Sequence, residues 1–86
     1  MDADVKRDLV RKAILLQIKN GFNRYTHIKD KATVYCNDFA SSNSIKKQLF
    51  KYLLPQGYIK RTNPGKYQLT QKGELILTVY SQNSTN

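Results

Sequence analysis

Apolar positions along this chain change their period from one stretch to the next. Over residues 4–20, DVKRDLVRKAILLQIKN, two sets, Val5, Leu9, Ala13, Leu16 and Val10, Ile14, Ile18, recur three and four apart, the spacing of a helix face. Asp2 or Asp4 can cap its start and Asn20-Gly21 can end it in a left-handed turn, so a helix is expected over about 4–20. Leu15 and Leu16 directly follow Ile14, which widens the apolar stripe enough for a second copy of the chain to pack on it. Residues 21–33, GFNRYTHIKDKAT, keep no period and fit a loop, a short edge strand or one helical turn. VYCNDFA then reads as a short helix over about 34–40, with Val34, Cys36 or Tyr35, and Phe39 turned inward.

The four small polar residues SSNS, 41–44, suit a tight turn running into a helix cap. The helix expected after them, about 43–54, puts Ile45, Leu49, Tyr52 and Leu53 on one face and Lys47, Gln48 and Lys51 mainly on another. Pro55 is expected to stop it and Gly57 to release the chain. The period then drops to two over about 57–70: Ile59, Tyr67 and Leu69 face one way, Lys60, Lys66 and Gln68 the other, around Asn63-Pro64-Gly65. A two-residue Pro-Gly turn of type II splays a hairpin, so the connecting loop is expected to be wider than two residues. A last helix, about 71–80, has Thr70 for a cap and Leu75, Ile76, Val79 and Tyr80 as apolar positions, before a polar tail at 81–86.

Eighty-six residues make a single domain, 1–86, too small to enclose a deep catalytic cleft. The lone Cys36 cannot form an internal disulfide, and no Cys/His spacing suggests a metal, so neither cofactor nor metal is expected. AILLQI at 13–18 is far too short to span a bilayer, and the setting expected is a reducing, cytoplasmic one without a membrane partner. Ser41, Ser42 and Ser44 have no accompanying histidine, acid pair or glycine elbow, which points away from an enzyme and from any small-molecule substrate.

Charge changes the picture more than composition does. The chain has 15 basic and 6 acidic residues, a net charge of +9. Between residues 41 and 72 stand Lys46, Lys47, Lys51, Lys60, Arg61, Lys66 and Lys72, with no Asp or Glu among them. A single-sign field of this kind attracts a polyanion and is repaid by counterion release, although a solvated lysine-rich surface would give the same count.

The stretch 38–77 resembles the second half of winged-helix (winged helix-turn-helix) DNA-binding domains, particularly those of small archaeal and archaeal-virus transcriptional regulators. The matching pieces stand in family order: DFA, SSNS, LFKYLL, GYIKR and LTQKGE. The resemblance implies an α+β, mainly α fold with three core helices, a two- or three-stranded wing sheet and a C-terminal helix. Residues 21–33 leave the family's first strand unplaced. It further implies a recognition helix offering Asn43, Ser44, Lys46, Lys47, Gln48 and Lys51 to duplex DNA, and a wing offering Lys60, Arg61, Asn63 and Lys66. Gln can pair bidentately with adenine, Lys can reach guanine or phosphate, and an arginine is favoured in a narrow minor groove.

The function expected is sequence-specific binding of double-stranded DNA by a regulator that occupies its operator. One small domain reads few base pairs, so a homodimer through helix 1 and the C-terminal helix is expected, at the nucleoid or in a host cytoplasm if the chain is viral. A winged-helix protein-interaction module and a non-specific DNA-coating architectural protein remain as alternatives. Tyr52, Tyr58 and Tyr67 are expected to pack in the core, His27 to be an exposed bystander, and Cys36 a small buried hydrophobe.

Overall fold

The computed structural model describes residues 3–36 and 40–83. In chain order these form α1 (Ala3–Lys19), α2 (Tyr25–Cys36), α3 (Ser42–Gln48) running on into a π-helical turn (Leu49–Leu53), β1 (Ile59–Asn63), β2 (Lys66–Leu69) and α4 (Gln71–Asn83). The fold is α+β and mainly helical, with one two-stranded antiparallel sheet.

Helix α1 is the centre of the packing and touches α2, α3, α4 and β2. Ala13, Ile14, Leu15 and Ile18 are all buried by the chain's own elements, while Leu9 and Leu16 of the wide apolar stripe are half-buried. Val5, one turn from the helix start, stays 48% exposed. Ile14, Leu15, Ile28, Cys36, Ile45, Leu49, Leu53 and Ile59 are sealed from solvent, drawing α1, α2, α3, its π turn and β1 into one core. Each such Leu or Ile contributes roughly 2 kcal/mol by its burial. At its C-terminus α1 closes as expected on a left-handed Gly21 (φ 107), with Phe22 N–H donating to Gln17 O at 3.0 Å and Gly21 N–H to Ile18 O at 3.1 Å.

Of the short helix expected over 34–40, residues 34–36 are instead the end of a longer one, and 37–39 lie outside the described residues. Helix α2 begins at Tyr25 and buries Ile28, Ala32 and Cys36, four residues apart on one face. That register turns Val34 outward, 77% exposed, and Tyr35 with it; Phe39 lies outside the described residues. Before α2, Arg24 bridges to Lys66, so residues 21–33 contribute a turn, a single strand-like residue and most of a helix.

Ser41 caps α3: its backbone is extended and its Oγ accepts from Ser44 N–H at 3.2 Å. The helical run that follows closes at Leu53 with Leu54 as its cap, directly before Pro55, as expected, and passes into a turn. Gln56 N–H still reaches Tyr52 O at 3.0 Å, and the chain leaves at Gly57. Pro55 has no N–H for the Lys51 carbonyl and its ring crowds that oxygen, and the turn before it is widened so that Leu54 N–H donates to Leu49 O at 3.0 Å.

The hairpin corrects the expected wide loop. Asn63 pairs directly with Lys66, leaving a two-residue Pro64-Gly65 turn whose glycine sits at φ 76. The poor twist of such a turn is taken up by an irregularity between Arg61 and Asn63, where Thr62 bulges out of register. Ile59 and Tyr67 are buried as the alternation requires, while Lys66 is half-buried rather than fully outward.

Thr70 caps α4, its Oγ1 accepting from Gly73 N–H at 3.0 Å and donating to Gly57 O at 2.6 Å. The inward residue of α4 is Leu77, whereas Leu75 (65%) and Val79 (44%) face solvent and Ile76 and Tyr80 are half-buried. No helix among the described residues is long and apolar enough to cross a membrane.

Candidate nucleic-acid interface

The exposed face of α3 and its π turn gathers four of the expected residues. Asn43, Lys46, Lys47 and Lys51 stand at positions i, i+3, i+4 and i+8, and with Phe50 they line one open cleft of about 330 Å³. The three lysines are exposed and Phe50 is half-buried, so the cleft is a shallow cationic trough with an aromatic floor.

Beside it lies a second cleft of about 410 Å³, between the start of α2 and the hairpin turn, lined by Arg24, Tyr25, Thr26, Pro64, Gly65 and Lys66. The two are joined through one ring. Phe50, which lines the first cleft, stacks tilted against Tyr25 of the second at 5.3 Å between centroids and meets Tyr67 edge-on at 6.0 Å, so α2, the π turn and β2 share an aromatic cluster. Backbone bonds fix the hairpin there: Tyr25 N–H donates to Gly65 O at 3.0 Å and Tyr67 N–H to Asn23 O at 2.7 Å.

Two expected helix residues stand apart from this trough. Ser44 gives its backbone N–H to the Ser41 cap and is exposed, its Oγ 3.2 Å from that of Ser41. Gln48 is half-buried and its Oε1 accepts from Arg11 Nε at 2.8 Å, while the Arg11 guanidinium lies over the Tyr52 ring, 3.3 Å from its centroid. Arg11 thereby holds the flank of the helical run against α1. On that side the Tyr52 hydroxyl is held above its ordinary pKa, first by its hydrogen bond with Tyr58 and then by burial.

The hairpin divides its cations by face, because successive strand residues point to opposite sides. Lys60 is exposed opposite Gln68, and Arg61 sits opposite Tyr67, its Nη2 3.4 Å from the Tyr67 hydroxyl. Asn63 is exposed at the turn and Lys66 joins Arg24 in the second cleft. Lys72, farther along, donates to Gln56 O at 2.8 Å and covers the Tyr58 ring at 4.7 Å.

Three participants escaped the sequence reading. Arg24 lies outside the acid-free stretch and is brought to the hairpin by the bridge to Lys66 and the flanking backbone bonds of Asn23 and Tyr25. Phe50 lies within an apolar helical run, and Arg11 on a helix whose pattern points to core and dimer packing. The Ile28, Ala32, Cys36 spacing was the available signal that α2 starts early enough to put Arg24 at its mouth.

The ion pairs Arg7–Asp4 and Lys19–Glu74 lie within α1 and between α1 and α4, on other elements than these lysines. Among the described residues no group of three or more His, Cys, Asp or Glu could hold a metal ion. His27 is exposed, with its ring edge-on to Phe22 at 6.4 Å, and Cys36 is fully buried. Comparison of the chain with protein-family models, with curated proteins and with solved structures finds no match in any of the three.

Proposed function

We propose that this chain is a winged-helix protein that binds double-stranded DNA without catalysing a reaction on it. The observation that carries the reading is the joining of two cationic clefts, Lys46, Lys47 and Lys51 on the helix and Arg24 and Lys66 at the hairpin, through the Tyr25–Phe50–Tyr67 cluster. The order helix, bridge residue, helix, helix, hairpin, helix supports the fold assignment, with Arg24 in the place of the family's short first strand. In this reading α3 enters the major groove and Lys60, Arg61 and Asn63 lie along the neighbouring backbone or minor groove.

The chain acts as a transcriptional regulator by occupying its operator as a homodimer. Supporting a second copy as partner, Leu75 and Val79 stand exposed one turn apart on α4, which carries one Lys and one Glu and so meets its own copy without net repulsion. The test is a salt titration, by fluorescence anisotropy, of binding to random-sequence duplex and to the DNA upstream of the protein's own reading frame. Preference for the upstream DNA with a steep salt dependence is expected. Equal binding to both would make it a coating protein, and no binding at low salt would overturn the DNA reading.

A further inference from the structure

Resting on the duplex-binding reading, the geometry points to Phe50 as a specificity residue that takes the 5-methyl group of a thymine in the major groove. Charge alone asks for nothing aromatic in the trough, yet the half-buried Phe50 ring lines it together with Asn43, Lys46, Lys47 and Lys51. On its other side the ring packs against Tyr25 at 5.3 Å and Tyr67 at 6.0 Å, contacts it would lose by turning away from the trough. What is left is an apolar spot ringed by ammonium groups. Lysines of such a ring can meet phosphates or guanine, but the Phe50 side chain has no polar atom to offer a base edge. Of the four bases only thymine presents an apolar group to the major groove, and a methyl is small enough for a spot this shallow.

The experiment compares binding of the full chain to a random-sequence duplex pool made with thymidine and to the same pool made with deoxyuridine, which lacks only the methyl. Burying one methyl makes the thymidine pool the tighter by about fourfold. In Phe50→Ala the two pools become equal, whereas Lys47→Ala weakens both by the same factor and keeps their ratio. Phe50→Leu keeps an apolar side chain against Tyr25 and Tyr67 and serves if the alanine variant fails to fold; its shorter reach should at least halve the ratio. Equal binding of both pools by the unaltered protein would overturn the assignment while leaving DNA binding intact. So would a thymidine preference that survives in Phe50→Ala or is undiminished in Phe50→Leu. Absence of binding to either pool would instead remove the duplex reading itself, and this assignment with it.

Discussion

A β-carbon placed on Gly73 would run into the carbonyl oxygen of Tyr58. The start of α4 is therefore pressed against the chain entering the hairpin, where Thr70 N–H also donates to Tyr58 O at 3.2 Å. In an open helix, Gly→Ala stabilises by up to about 1 kcal/mol. Here the sign reverses, because the obstacle is backbone and cannot rotate aside. Gly73→Ala is expected to cost about 3 kcal/mol, read as a lowered urea midpoint at unchanged slope. A midpoint equal to or above that of the unaltered chain would refute the close approach.

Arg11 and Gln48 should be coupled energetically. Their 2.8 Å hydrogen bond ties α1 to the last α-helical residue before the π turn, and the same guanidinium covers Tyr52. In a double-mutant cycle of Arg11→Met and Gln48→Ala, a coupling of about 1 kcal/mol is expected. Additive losses would mean that the two side chains do not act on one another in solution.

Under the proposed function, Lys47 and Lys51 neutralise phosphates or meet bases. Replacing both by Ala should weaken duplex binding tenfold or more. Each lost phosphate contact should also make the log–log salt slope shallower by about 0.9. Unchanged affinity and slope in this variant would take α3 out of the interface.

Stability should respond to alkaline pH through Cys36. Burial pushes the thiol above its ordinary value of 9.0, so the folded chain holds a proton that the unfolded chain has begun to release. A raised folded value means that the contribution is fully present below the unfolded value and is lost as pH rises through the folded one. Between about pH 8 and about pH 10 the unaltered protein should lose more stability than Cys36→Ala, measured by urea unfolding at each pH. Tyr80, also raised chiefly by burial, is present in both proteins and cancels in this comparison. Parallel losses would show that the thiol is not shielded.

Where residues state a local rule, the sequence was legible. Gly21 ends α1, Thr70 caps α4, and Ile59 and Tyr67 alternate inward, each from chemistry within a few residues. Helix α2 was not legible, because Tyr, Thr, His and Val are poor helix formers and only tertiary burial of Ile28, Ala32 and Cys36 makes up for them. The inward face of α4 was not legible for a related reason. Leu75, Ile76 and Leu77 are consecutive, and the contact of Gly73 with Tyr58, not their hydrophobicity, selects Leu77. In the candidate site, Asn43 and the lysines of the trough could be named from charge and spacing, whereas the partner of Gln48, Arg11, lies 37 residues away and only the packing of α1 brings it there.

The two backbone bonds that fasten Gly65 and Tyr67 of the hairpin to Tyr25 and Asn23 bear on the kinetics of any encounter with this surface. An unfastened ribbon would have to be caught from many orientations, at a cost in entropy and in the fraction of productive collisions. Fastened to the start of α2, the ribbon keeps its distance from α3 before a ligand arrives, and docking proceeds as the meeting of two preformed shapes. Association is then governed by diffusion and the long-range field of the lysines, and differences among ligands fall on how fast they leave.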